Sequence, residues 1–152
     1  MSGPIGIGCG AAILREGRLL LVKRRKAPEA GCWSLVGGKV DFLERAEEAT
    51  RRETLEEIGV AIDLGPLLCL VQMIGIDGQH WVSPVYRASV SAGDPVNREP
   101  DKIAAIGWFA LDDPPAPLAL AAREAIAVLR AEEGSKDRFG FQREAHRAPE
   151  RR

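Results

Sequence analysis

Residues 37–59 constrain this chain more than any other stretch. The segment opens on Gly37-Gly38, carries Glu44 a few residues later, and then runs Arg52-Glu53-Thr54-Leu55-Glu56-Glu57 up to Gly59. No proline or glycine interrupts residues 44–58, which predicts a helix there, with Gly59 in the C-terminal capping position. On such a helix positions 53, 56 and 57 stand at i, i+3 and i+4, so three carboxylates share one face within reach of one another. Three crowded anions repel unless cations join them. Carboxylate oxygens are hard ligands suited to Mg²⁺ or Mn²⁺, and Mg²⁺ sites combine a few protein carboxylates with waters and substrate phosphates. A phosphate-bearing substrate is the natural third party.

A row of glutamates can also be no more than a solvated helix face, in which acids and bases alternate. Here they do not: between Glu44 and Glu57 six acids stand against three bases. Arg52 lies four residues from both Glu48 and Glu56, and eight from Glu44, so it can pair on the helix flank and hold the acidic row in place. Gly37-Gly38 reads as a tight turn whose bare backbone can approach a metal and phosphates closely.

This spacing resembles the signature of the Nudix (MutT-type) hydrolases, G-x5-E-x7-R-E-U-x-E-E-x-G-U with U apolar. All seven fixed identities are present: Gly38, Glu44, Arg52, Glu53, Glu56, Glu57 and Gly59. At roughly 7% per residue type, such a match at a given start has a chance on the order of 10⁻⁸. Three positions depart from the usual pattern: Val36, where proline often precedes the glycine pair, Leu43 beside Glu44, and Thr54 at an aliphatic position.

The resemblance implies a Nudix-type α/β/α sandwich with a mixed β-sheet. It also implies Mg²⁺-dependent attack of water on a pyrophosphate linkage, Mn²⁺ being a substitute. Glu53, Glu56 and Glu57 would then be metal ligands and catalytic carboxylates. A backbone carbonyl of Gly37 or Gly38, with Gly37 favoured, joins the metal shell by the same resemblance. Glu44, Arg52 and Gly59 are structural in the box. Some family members recruit a base from a downstream loop, and Glu99 is the candidate here. A weaker likeness, over about residues 5–130, points to the subgroup that cleaves nucleoside triphosphates to monophosphate and pyrophosphate. The rival readings are an ADP-ribose or sugar-nucleotide pyrophosphatase and a nucleotide-sensing module without turnover.

Around the box, apolar runs at residues 5–14 and 18–24 flank Arg15-Glu16-Gly17 and read as a hairpin. A polar loop over 26–31 and a short strand over 33–36 follow. Strands at 67–76 and 80–90 form a second hairpin across Asp77-Gly78-Gln79. Two Xaa-Pro pairs make 93–104 a loop, 106–111 a last strand, and the helical spacing of Leu118, Ala121, Ala122, Ala125, Ile126 and Leu129 a second helix over 118–130. This order predicts a mixed sheet covered by helices on its two faces. The domain spans residues 1–133, and residues 134–152 form a charged, loosely ordered tail with six bases against three acids.

Lys23 and Arg24, at the end of the second strand, are the candidates to contact phosphates, though strand alternation sends them to opposite faces. Of the large aromatics Trp33, Trp81, Trp108 and Phe109, Trp81 is the candidate to stack on a base. Overall, 21 Lys and Arg balance 22 Asp and Glu. That argues against a stable nucleic-acid partner or a membrane surface, and favours a nucleotide-type small molecule. Cys9, Cys32 and Cys69 fit neither a disulfide framework nor a paired zinc motif and read as reduced thiols, a nucleophilic Cys32 being the minor alternative. No apolar run approaches a bilayer span, and residues 1–12 lack a positive leading region, so a cytoplasmic protein is expected, with room for a homodimer.

Overall fold

The computed structural model describes residues 2–144. Strand β1 (Gly6–Arg15) turns through Glu16-Gly17 into β2 (Arg18–Arg24). Both turn residues have positive φ, 51° and 74°, the conformation that matches the twist of a two-residue hairpin. After the loop over residues 25–32 come β3 (Trp33–Ser34), β4 (Val36–Lys39) and helix α1 (Ala46–Ile58). A long hairpin, β5 (Ala61–Ile76) and β6 (Gln79–Ala92), turns on Asp77-Gly78, again with positive φ at both residues. Strand β7 (Ile103–Ala110) and helix α2 (Leu120–Glu144) complete the described chain.

The sheet runs β3-β2-β1-β6-β5, with β4 also paired to β1 and β7 to β2. It is mixed: β1 and β6 are parallel, and the other pairings are antiparallel. Alternation along β1 and β2 feeds two cores. Ala12, Leu19 and Leu21 face Ala122, Ala125, Ile126 and Leu129 of α2. Ala11, Ile13, Leu20 and Val22 face the other way and pack with Ile58 at the end of α1, Val60 just after it and Ile62 of β5. The result is the expected α/β/α sandwich.

Four elements differ from the sequence reading. Gly37 and Gly38 lie within β4, paired to Gly10 and Cys9, rather than in a turn. Strand β5 begins at Ala61 despite Gly65-Pro66, because the ladder to β6 shifts register between Leu64 and Leu67 and so accommodates a residue with no amide hydrogen. Strand β7 begins at Ile103, inside the span expected to be loop. Helix α2 continues through Gly134 to Glu144, past the expected start of the loosely ordered tail. Gly134 and Gly140 each cost the helix only about 1 kcal/mol, and just before them Arg87 of β6 pairs with Glu132 and holds the helix to the sheet. The rest of that tail, residues 145–152, lies outside the described residues. Among the described residues no helix is long and apolar enough to cross a membrane.

Candidate active site

Helix α1 is anchored at both ends. The Arg45 amide donates to Glu48 Oε2 at 3.4 Å, and the Gly59 amide, at φ 72°, donates to the Leu55 carbonyl at 3.0 Å. Its inner face carries Thr50 and Thr54, both fully buried, whose hydroxyls donate to the carbonyls of Ala46 and Thr50 at 2.7 Å. Thr54 therefore fits an aliphatic position by satisfying its own hydroxyl within the helix. Leu43, just before the helix, adopts φ 65° and is exposed, so its departure from the usual pattern is absorbed by a strained loop facing solvent.

Arg52 organises the outer face. Its guanidinium forks onto Glu44 with Nε–Oε2 2.7 Å and Nη2–Oε1 2.8 Å, while Nη1 donates to Glu53 Oε1 at 3.0 Å and Glu56 Oε2 at 3.2 Å. Nη2 also donates to the Lys39 carbonyl at 3.0 Å. One planar cation thus ties helix, preceding loop and β4 together. The expected partner Glu48 is taken up by the helix cap instead. Through its hydrogen bonds with Arg52 and the Asp41 amide, the Glu44 carboxyl is held at about 2, well below its ordinary value.

The next carboxylates inward behave differently. Burial, resisted by Arg52, raises Glu53; its side chain is only 16% exposed. Burial also pushes Glu57 up to about 8, reinforced by repulsion from Glu53 and Glu99 and opposed by the Gly37 backbone and Arg24. The glycine pair explains how these groups come so close. A Cβ on Gly38 would stand 2.5 Å from Glu53 Oε2, and one on Gly37 would overlap the Cys9 carbonyl oxygen.

The loop before β7 delivers Glu99 to the same cluster. Backbone amides of Val96 and Arg98 donate to the carbonyls of Ile58 and Glu57 at 3.0 and 2.9 Å, using acceptors that the end of α1 leaves free. Asn97 braces the loop twice, accepting from the Glu99 amide at 3.1 Å and donating to the Ile103 carbonyl at 2.8 Å. Arg25 Nε fixes the other side through the Pro100 carbonyl at 2.8 Å. Sequence reading identified Glu99 but missed Asn97 and Arg98; the turn-forming side chain of Asn97 was the available signal.

The donor set suits a divalent cation. Oxygens of Glu53, Glu56 and Glu57 are hard ligands; Glu53 packs against Gly38, Glu57 lies by the Gly37 backbone, and among the described residues Glu57 forms no ion pair. Among the described residues no three such side chains converge on one point.

Beside this cluster a cavity of about 240 Å³ opens along the α2 face of the sheet. Its walls include Gly37 and Gly38, Trp81, Met73 and Ser83, and Arg24, Glu29 and Leu120. Arg24 is the basic candidate that reaches it, braced by an Nε bond to the Pro28 carbonyl at 2.7 Å, whereas Lys23 is not among its walls. Of the four candidate aromatics, Trp81 is the one that lines it. Trp33 and Phe109 meet edge to face at 4.9 Å in the core, and Trp108 lies under Arg15 at 4.8 Å. Glu29 was not foreseen: its Oε1 accepts from the Leu120 amide and its own amide donates to Asp77 Oδ2, both at 2.8 Å. All three cysteines are free; Cys9 is buried below Gly38, and Cys32 is not part of the cavity.

Comparison with known proteins identifies the family of this fold. The NUDIX domain profile matches residues 5–129. The crystal structure of a MutT NUDIX hydrolase from Burkholderia pseudomallei is 54% identical, covers 82% of this chain and 98% of its own, and superposes with a TM-score of 0.79. An ADP-ribose pyrophosphatase of Methanocaldococcus jannaschii is 35% identical over 83 residues, 54% of this chain and 49% of that protein. An oxidized purine nucleoside triphosphate hydrolase of Danio rerio is 43% identical over 51 residues, 34% of this chain and 33% of that protein. The matches span half or less of these two curated relatives. With the box complete and the family profile running across nearly the whole sandwich, the chain belongs to the Nudix (MutT-type) hydrolase family.

Proposed function

We propose that the chain is a Mg²⁺-dependent pyrophosphohydrolase, able to use Mn²⁺, that converts a nucleoside triphosphate and water to the monophosphate and pyrophosphate. One observation carries the reading: the cavity lined by Trp81 is also lined by Gly37-Gly38, and the Glu53 carboxylate packs against Gly38. A base held in the cavity therefore directs its phosphate chain toward the acidic face. Glu53, Glu56 and Glu57, with a carbonyl of Gly37 or Gly38, hold the divalent cation in this reading. When bound, that cation supplies charge neutralisation on the phosphates and activation of water.

The chain's own groups do the rest. Arg24 meets phosphate oxygens, Glu99 accepts a proton from the attacking water, and Trp81 receives the base. Arg52, Glu44 and Gly59 keep the helix and its carboxylates in register. The name of the Danio rerio relative supports a triphosphate substrate. The longer match to an ADP-ribose pyrophosphatase favours a second reading, cleavage of ADP-ribose or a sugar nucleotide in the same site.

Pure protein assayed with Mg²⁺ or Mn²⁺ against ordinary and oxidised nucleoside triphosphates and ADP-ribose separates these. Release of pyrophosphate without orthophosphate supports the first reading, and formation of ribose 5-phosphate supports the second. Nucleotide binding with no turnover of any substrate would instead show a sensing module. Glu57→Gln is expected to lower turnover by at least about 10²-fold in saturating Mg²⁺.

A further inference from the structure

Strand β1 carries glycine at positions 6, 8 and 10, alternate residues that share the cavity face of the sheet. The parallel strand β6 lies beside it, with Gly6 in register with Trp81 and Gly10 with Val85. Where side chains would normally meet across the ladder, those of β6 lean over bare main chain. A Cβ on Gly6 would stand 2.5 Å from Cε3 and 2.6 Å from Cζ3 of Trp81, well inside contact distance.

The indole is also held at its polar edge, where Nε1 donates to Gln79 Oε1 at 2.8 Å, two residues back on the same strand and face. On its far side, Met73 of β5 is its register partner and is buried. A missing side chain and one hydrogen bond, beside a buried ladder neighbour, therefore set the ring before any ligand arrives. Trp81, Met73 and Gly8 all line the cavity.

We propose that Gly6 and Gln79 are positioning residues that fix the Trp81 indole as a rigid wall, selecting substrates whose non-phosphate end is a flat aromatic base. This rests on the reading that the cavity takes the base of a nucleotide. A pre-set ring loses little freedom on binding, so its contribution appears in KM rather than in the chemical step.

The test uses the full chain in saturating Mg²⁺, with a nucleoside triphosphate as substrate and tripolyphosphate, the same phosphate chain without a base, as competing ligand. Trp81→Ala is expected to raise KM about 10- to 100-fold with kcat little changed, the range that one stacked base supports. Gly6→Ala and Gln79→Leu should each raise KM about 5- to 20-fold and leave tripolyphosphate inhibition unchanged. Once Trp81 is alanine, adding either substitution should change KM by less than about twofold.

Full effects of Gly6→Ala and Gln79→Leu in the Trp81→Ala background, or equal weakening of tripolyphosphate, would overturn the proposal while leaving the base reading intact. An unchanged KM in Trp81→Ala would overturn both. If Gly6→Ala does not fold, Gln79→Leu alone and combined with Trp81→Ala decides the question.

Discussion

The Arg98 amide donates to the Glu57 carbonyl at 2.9 Å, so the loop bearing Glu99 is fastened to the last turn of the helix bearing the acidic row. Two segments far apart in sequence thereby meet with their carboxylates on the same side. Backbone bonds fix where the loop lands, and Asn97 fixes how it is folded. Asn97→Ala is expected to lower kcat about tenfold with little change in KM, because small misplacement of a reacting group is costly. Steady-state kinetics, beside Glu99→Gln, which alters the carboxylate and spares the brace, check this. An unchanged kcat in Asn97→Ala would show that the backbone bonds alone suffice.

Gly37 and Gly38 are adjacent but exclude a side chain for different reasons, so their alanine variants should fail differently. At Gly38 the obstructing group is the end of the flexible Glu53 side chain, which can move. Gly38→Ala should fold and lose about 10²-fold in kcat as Glu53 is displaced. At Gly37 the obstruction is the main-chain oxygen of Cys9 in β1, which can move only by parting two strands. Gly37→Ala should lose about 2 kcal/mol or more of stability, an overpacking cost. Urea denaturation and kinetics on both variants distinguish the two.

Glu57 gives the metal-free protein a pH signature. Its ordinary value of 4.5 is raised to about 8, chiefly by burial. Below pH 4.5 the carboxyl is protonated in folded and unfolded chains alike, and its stabilising preference for the folded state is fully present. Between pH 4.5 and about 8 the unfolded chain releases a proton that the folded chain keeps, so this contribution is lost as pH rises. A divalent cation favours the carboxylate and should flatten the slope. Thermal melts from pH 5 to 9, with chelator and with Mg²⁺, are expected to differ in this way. In Glu57→Gln the chelator curve should lose this component, and an identical slope there would assign it to another group.

Glu44 works in the opposite direction. Held at about 2 by Arg52, it contributes stability that is present above its ordinary 4.5 and is lost as pH falls toward 2. Arg52→Lys keeps the charge but cannot fork onto two carboxylate oxygens while reaching Glu53 and Glu56. A fall in melting temperature of about 3–6 °C at pH 7 is expected, together with acid unfolding that starts at higher pH. Melts of the variant between pH 2 and 7 measure both.

What the chain revealed before folding was whatever acts locally. The carboxylates at 53, 56 and 57 share a face because helical periodicity is a property of neighbours, and the turns at Glu16-Gly17 and Asp77-Gly78 follow from residues that accept positive φ. Gly37-Gly38 was misread as a turn because glycine pairs usually make one. Its true role depends on Cys9 and Glu53, contacts that no local pattern displays. Pro66 concealed the first third of β5, since only the register shift against β6 makes room for it. Glu29 and Arg98 act by bonding to distant main chain and so could not be singled out beforehand, whereas Asn97 braces its own loop and its turn-forming side chain was the one local signal.

The parallel pairing of β1 with β6 has a consequence for how the site comes into being. Residue 6 meets residue 81 only after the whole of α1 and the β5–β6 hairpin has been laid down, whereas the backbone bonds within α1 join residues only four apart. A pairing of such long reach closes late, because loop entropy must be overcome first. The acidic helix is therefore expected to take shape early on a surface that has no cavity beside it, and the pocket to arise in the final docking of the first strand. Substrate discrimination is then the last property the folding chain acquires.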